Sequence, residues 1–224
     1  MKIAVVTGGT SGMGLGVAKM LISKGYYVYA TYVGLDFTEK IENFEAIKCD
    51  QTNREEVYAF INYVKSKTIH LDCLHCNAGM SIRKSFTEYE DKDWDAMMEV
   101  AVNSHYIMCR EFFSIIPNGS RILFTGSQMG LQPHGMVLAY GVTKSAVHAL
   151  CKNLVKEFEG TGTVKITIQD YLFCTPTVIY VEIIENPVVF DFENVKSENG
   201  VSFVPDGVIG GVGRGLCSGG IDLR

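Results

Sequence analysis

The sequence predicts an α/β domain, a doubly wound parallel sheet of six or seven strands with helices on both faces. Short apolar runs alternate with stretches of helical periodicity through most of the 224 residues. Those runs are apolar at nearly every position instead of every second one, so both faces of the sheet must be covered. A helical stretch stands between most successive strands, which is the connection that parallel neighbours require.

Taken in order, residues 3–7 form a strand that stops at glycines, and residues 13–24 form the first helix. Leu15, Ala18, Met20, Leu21 and Ile22 give that helix one broad apolar face, and Gly25 ends it as a C-terminal cap. Residues 27–32 and 45–48 read as the second and third strands. Residues 53–66 are helical, with Asn53 as N-cap and Glu56 three positions on, the spacing of a capping box. The fourth strand is 71–76, a long helical region covers 91–115, and the fifth strand is 121–125. A helix at 138–158 and a sixth strand at 164–169 follow. Eight glycines between 200 and 220 break any helical period there, since each costs ~1 kcal/mol relative to alanine. A short strand starting at Val201 is the one further element expected. No linker precedes residue 185, so residues 1–224 are expected to form a single domain, regular over 1–170 and atypical over 171–224.

Composition narrows the function. Apolar residues make 47% and charged residues 20% of the chain, which are globular values and exclude a disordered or fibrous chain. The formal charge of −5 lacks the basic excess of a nucleic-acid binder, so no nucleic acid partner is expected. No apolar run approaches the ~18 residues that span a bilayer, so no membrane partner is expected. Residues 1–6 lead directly into a strand, so no signal peptide is expected. Seven cysteines at irregular spacing suit a reducing compartment, and the expected location is cytoplasmic. The Cys73-Leu-His-Cys76 stretch has the look of a metal ligand pair. In a strand, however, positions 73 and 76 point to opposite faces, so no metal site is expected. His105 and His134 flank the expected cleft and read as structural.

Chemistry begins at the first turn, Thr7-Gly8-Gly9-Thr10-Ser11-Gly12-Met13-Gly14. Glycines allow a tight turn and a close approach of backbone to ligand. The helix that follows offers free N–H groups and a partial positive charge, which suit a pyrophosphate. A strand, this turn and a helix together point to a dinucleotide held by Gly8, Thr10, Ser11, Gly12, Met13 and Gly14. An acid about 20 residues further on would grip the adenosine ribose. Here the second strand ends at Tyr32, and the first carboxylate is Asp36. Without an acid to repel a 2′-phosphate, NADP(H) is favoured over NAD(H), although no basic residue stands at Val33 or Gly34.

Tyr140 and Lys144 lie four positions apart at the start of a helix, one turn apart on one face. The nearby ammonium favours the phenolate and lowers the phenol's pKa toward neutrality, which makes Tyr140 usable as a general acid or base. Ser127 sits just past the fifth strand, at the carboxyl edge where open α/β sheets bind ligands.

These residues give the chain a resemblance to the short-chain dehydrogenase/reductase family, in its compact, non-extended branch. The glycine turn, Asp50 after the third strand, Asn77-Ala78-Gly79 after the fourth, and Asn103, Ser127, Tyr140 and Lys144 match that family's motifs in order. The resemblance covers residues 1 to about 170 and implies a Rossmann-type fold. By that resemblance Tyr140 protonates a substrate carbonyl oxygen, and Ser127 orients it. Lys144 binds the nicotinamide ribose and holds the Tyr140 pKa down, and Asn103 anchors a water in a proton relay. Asp50 contacts adenine, and Asn77, Ala78 and Gly79 stabilise the sheet beside the cofactor.

The stretch 77–103, with Trp94-Asp95, is similar to 3-oxoacyl reductases, which implies a small carbonyl or alcohol substrate and suggests a 3-oxoacyl thioester. The helical regions 91–115 and 138–158 are where this family pairs into homodimers or homotetramers. Departures begin at Tyr171-Leu172, where the family has Pro-Gly. Thr175 or Thr177 would supply the hydroxyl that closes over the nicotinamide. The residues left after Pro176 are too few for a full substrate lid, so the cleft is expected to be open or closed by another subunit. The alternative reading is a catalytically silent NAD(P)-binding sensor or subunit.

Overall fold

Six strands run parallel: β1 (Lys2–Val6), β2 (Tyr26–Tyr32), β3 (Phe44–Lys48), β4 (Cys73–Cys76), β5 (Ser120–Thr125) and β6 (Val164–Asp170). A short β7 (Ile179–Val181) joins the edge antiparallel to β6. Across the sheet the order is β3-β2-β1-β4-β5-β6-β7, so the winding reverses between β1 and β4. That reversal opens a crevice at the carboxyl ends of the strands, where ligands of such sheets bind. The structure is a computed structural model that describes residues 1–34, 36–158, 164–170 and 179–181, the last two segments as backbone, all within the compact unit Met1–Glu185.

Alternation along the strands sorts the core into two clusters. Ile3, Val5, Leu74, Cys76, Ile122 and Phe124 pack on one face against α2 (Arg54–Lys67), α4 (Ser104–Phe112) and α5 (Leu138–Glu157). Ala4, Val6, Val28, Ala30 and Cys73 pack on the other against Ala18 and Leu21 of α1 (Gly12–Ser23). Cys73 and Cys76 thus lie on opposite faces, as the strand period requires. Burial pushes the Cys73 thiol up to about 12 and leaves it unreactive packing.

Two expectations need correction, and a third is refined. Residues 91–115 are helical throughout, as expected, though not as one regular α-helix. They divide into an α-helix named here α3 (Asp91–Met98), a π turn (Glu99–Asn103), α4 and a 3-10 turn (Phe113–Ile115). Within the π turn the Ser104 N–H reaches back five residues to the Glu99 carbonyl, which swells the helix locally. Glu56 does not close a capping box. The N–H of Asn53 goes to the Asp50 carbonyl, and the Glu56 carboxylate instead takes the Asp50 N–H at 2.8 Å, while Asn53 still caps α2 through the Glu55 N–H. The seventh strand is β7, antiparallel, where a parallel sheet was expected. The strand expected at Val201 and the glycine-rich tail lie outside the described residues.

Candidate active site

The ends of β1, β4 and β5 are tied by one buried polar network. The Thr7 hydroxyl accepts the N–H groups of Asn77 and Ala78, both at 2.8 Å, and the Asn77 amide donates to the Thr7 carbonyl at 2.9 Å. The Thr125 hydroxyl donates to Asn77 Oδ1 at 3.0 Å and lies 3.1 Å from His75 Nε2. A hydroxyl has one proton, already given to Asn77, so His75 must donate from Nε2 and carry a bare Nδ1. That nitrogen is buried without a partner among the described residues. Burial, and after it the Lys144 charge, hold the His75 pKa down to about 4, so the imidazole is neutral at physiological pH.

This network brings the Asn77 turn against the glycine turn. A Cβ on Gly14 would stand 2.2 Å from the Gly8 carbonyl oxygen and 2.6 Å from Asn77 Nδ2, so no side chain fits there. Ser11 is the N-cap of α1 but makes no side-chain cap hydrogen bond, and the first turn holds no acid. The leading N–H groups are therefore left for an anion.

A cleft of about 350 Å³ opens at this edge, and its walls include Met13, Asn77, Gly79, Ser127, Tyr140 and Lys144. Lys144 is only 2% exposed, donates to the Thr125 carbonyl at 2.7 Å, and holds its ammonium 5.7 Å from the centre of the Tyr140 ring. A buried ammonium is costly unless hydrogen-bonded, and the Thr125 carbonyl fixes where it stands. Buried Ser127 caps the 3-10 turn Gln128–Gly130 by accepting the Met129 N–H at 3.2 Å. Its hydroxyl proton is not used by that bond. Gly130 presses the turn onto α5: a Cβ there would lie 2.7 Å from the Lys144 carbonyl carbon, and Ser145 donates to the Gly130 carbonyl at 2.6 Å. The separation of Ser127 from Tyr140 and Lys144 is set by this contact.

The remaining predicted residues among those described lie outside the cleft wall. Asn103 ends the π turn, and its side-chain amide donates to Glu99 at 2.6 Å. The same carboxylate holds Arg54 at 2.5 and 3.0 Å. Asp50 accepts both the N–H and the hydroxyl of Thr52, at 2.9 and 2.7 Å. Tyr32 ends β2 with its hydroxyl 3.1 Å from Asp36. Gly8, Thr10, Ser11, Gly12 and Ala78 belong to the two turns that meet, with Ala78 Cα 3.4 Å from where a Gly8 Cβ would be. Thr175 falls outside the described residues.

Sequence reading missed Thr125, His75 and Gly130. The parts of the first two depend on β4 lying beside β5, and that of Gly130 on how the turn after β5 meets α5.

The profile of the short chain dehydrogenase family matches residues 2–181. The 2-dehydro-3-deoxy-D-gluconate 5-dehydrogenase of Pseudoalteromonas atlantica is 31% identical over 172 residues, 72% of this chain and 68% of that protein. The 3beta-hydroxysteroid dehydrogenase of Mediterraneibacter gnavus is 31% identical over 171 residues, 72% of this chain and 62% of that protein. Among solved structures, a short chain dehydrogenase from Burkholderia cenocepacia in complex with NADP superposes with a TM-score of 0.67 at 25% identity. It covers 75% of this chain and 72% of its own.

Proposed function

This chain belongs to the short-chain dehydrogenase family of NAD(P)-dependent oxidoreductases, and from that premise we propose that it interconverts a ketone and a secondary alcohol with Tyr140 as general acid and base. The observation that carries this reading is the meeting of Ser127, Tyr140 and Lys144 in one cleft beside the glycine turn. The glycine cradle and the open first turn of α1 fit a dinucleotide pyrophosphate.

When bound, the reduced nicotinamide supplies the hydride. Ser127 donates a hydrogen bond to the carbonyl oxygen and orients it. Tyr140 gives its phenolic proton to that oxygen as negative charge develops there. The Lys144 ammonium, held by the Thr125 carbonyl, stabilises the phenolate that remains. Asn103, whose side-chain amide is fixed by Glu99, anchors a water that continues a proton relay from Lys144 to solvent.

For the finer assignments, Tyr32 at the end of β2 supports NADP(H) over NAD(H). The similarity around Trp94-Asp95 supports a 3-oxoacyl thioester as substrate. Tyr106 on α4 and Val142 on α5, both large and exposed, support a homodimer or homotetramer through those helices. No helix among the described residues is long and apolar enough to cross a membrane, and we retain a cytoplasmic location. The test is a set of ketones, with 3-oxoacyl thioesters, a keto-sugar acid and a 3-ketosteroid among them, offered with NADPH and with NADH. Reduction of other ketones but no 3-oxoacyl thioester sinks the substrate assignment. Dinucleotide binding without reduction of any ketone favours the silent binding protein.

A further inference from the structure

We propose that Gln51 is a positioning residue, the centre of a one-way hydrogen-bond chain that sets the glycine turn and the π turn of Asn103 against each other. The chain has four links. The Gly8 N–H donates to the Thr31 hydroxyl at 2.9 Å, and that hydroxyl donates to Gln51 Oε1 at 3.2 Å. The Gln51 amide nitrogen donates to the Ser104 hydroxyl at 2.7 Å, which donates to the Val100 carbonyl at 2.6 Å. Thr31, Gln51 and Ser104 are 1%, 5% and 0% exposed, so water cannot replace a missing partner.

Proton counting fixes the direction. Gly8 has only a proton to offer, so Thr31 must accept there and pass its own proton to Gln51. The amide must then present oxygen to Thr31 and nitrogen to Ser104. Ser104 is left with one proton, and Val100 takes it.

Each end of the chain is attached to something the proposed reaction uses. Thr31 holds Gly8 by its hydroxyl and Gly9 by its carbonyl, the latter at 3.1 Å. Ser104 follows Asn103 directly. Its N–H passes over Val100 to reach Glu99, and its hydroxyl supplies the bond to Val100 that the N–H does not make. The π turn and the glycine turn are thereby joined through one amide, over 53 residues of sequence from Gln51 to Ser104. This inference rests on the dinucleotide reading for its purpose, but the coupling itself does not require a bound dinucleotide.

The test therefore has two readouts on the full chain. In the first, amide hydrogen exchange is followed at Gly8 and Gly9 in wild type, Ser104→Ala and Gln51→Met without cofactor. Ser104→Ala, at the far end of the chain, should speed exchange at Gly8 about fivefold, the worth of one buried hydrogen bond, while β5 amides are unchanged. In the second, NADPH and NADH are titrated into the same proteins. Both variants should weaken the better dinucleotide about fivefold, and the double variant should weaken it no more than Gln51→Met does. Unchanged Gly8 exchange in Ser104→Ala, or additive losses in the double variant, overturns the coupling. A lowered Tm with unchanged Gly8 exchange assigns these residues to packing only and also overturns it. Faster Gly8 exchange in a chain that binds neither dinucleotide upholds the coupling and counts against the oxidoreductase reading instead.

Discussion

Tyr32 closes β2 with its hydroxyl 3.1 Å from the Asp36 carboxylate. On the proposed dinucleotide reading, a tyrosine where an acid would grip the ribose favours a 2′-phosphate, yet Asp36 returns a negative charge within reach of the same strand end, and the two residues then oppose each other in choosing the dinucleotide. Asp36→Asn should therefore raise NADPH affinity three- to tenfold relative to NADH, because the repelled phosphate carries two charges and the lost carboxylate one. Paired calorimetric titrations check this, and a ratio changed by less than twofold means Asp36 faces elsewhere. At this scale the sequence was most legible where function fixes a spacing. Tyr140 and Lys144 are four apart on a helix, and they line one cleft with Ser127. It was least legible at His75 and Thr125, which matter only because β4 and β5 pair with His75 opposite Leu123 and so bring Thr125 into reach.

Among the elements, the turn that carries Ser127 depends on close glycine contacts with α5, the tightest at Gly130. Gly130 lies where a Cβ would stand 2.7 Å from the Lys144 carbonyl carbon and 2.8 Å from the Ser145 nitrogen, both backbone atoms of α5 that cannot move aside. Gly130→Ala should push the Gln128–Gly130 turn off α5 and carry Ser127 away from Tyr140. We expect kcat/KM to fall at least tenfold, with dinucleotide affinity within threefold of wild type. Steady-state kinetics beside calorimetry checks it, and unchanged kinetics would mean that Ser127 is held independently of the turn. The helices themselves were readable from apolar period and from Asn53 as a cap. The π turn was not, because Glu99–Asn103 adds a residue to the helix without interrupting its apolar sequence. Its long-range supports are tertiary, the Arg54–Glu99 ion pair across to α2 and the Gln51 amide bond to Ser104, while the Ser104–Val100 and Asn103–Glu99 bonds close it locally.

At the scale of the molecule, two buried imidazoles contribute to the response to acid. Burial, followed by the Lys144 charge, holds His75 down to about 4 and His105 down to about 3. Above pH 6.5 both are neutral folded or unfolded. As pH falls below that, the unfolded chain takes up protons that the folded chain refuses, so stability falls from about pH 6.5 to about 4 for His75 and to about 3 for His105. At pH 5 the loss is roughly 2 kcal/mol for each imidazole. Among the described residues neither His105 nitrogen has a hydrogen-bond partner of normal geometry, and its ring packs on Phe124. His105→Leu should therefore match the wild-type Tm at pH 7.5 and exceed it by several degrees at pH 5. Parallel slopes of Tm against pH for the two proteins would show that His105 is protonated when folded. The parallel order of β1 to β6 was legible because strand and helix alternate and the strands are apolar throughout. The antiparallel β7 was not, since the three residues Ile179–Val181 are too few to show a strand period.

The central claim is that Tyr140 performs the proton transfer in the cleft it shares with Ser127 and Lys144, and Tyr140→Phe tests it most directly. With the best ketone from the substrate set, single-turnover oxidation of the bound reduced dinucleotide should slow at least a hundredfold, the usual worth of a general acid. Dinucleotide affinity should stay within twofold of wild type. Turnover retained in Tyr140→Phe would contradict the claim and move the acid to another group in the cleft.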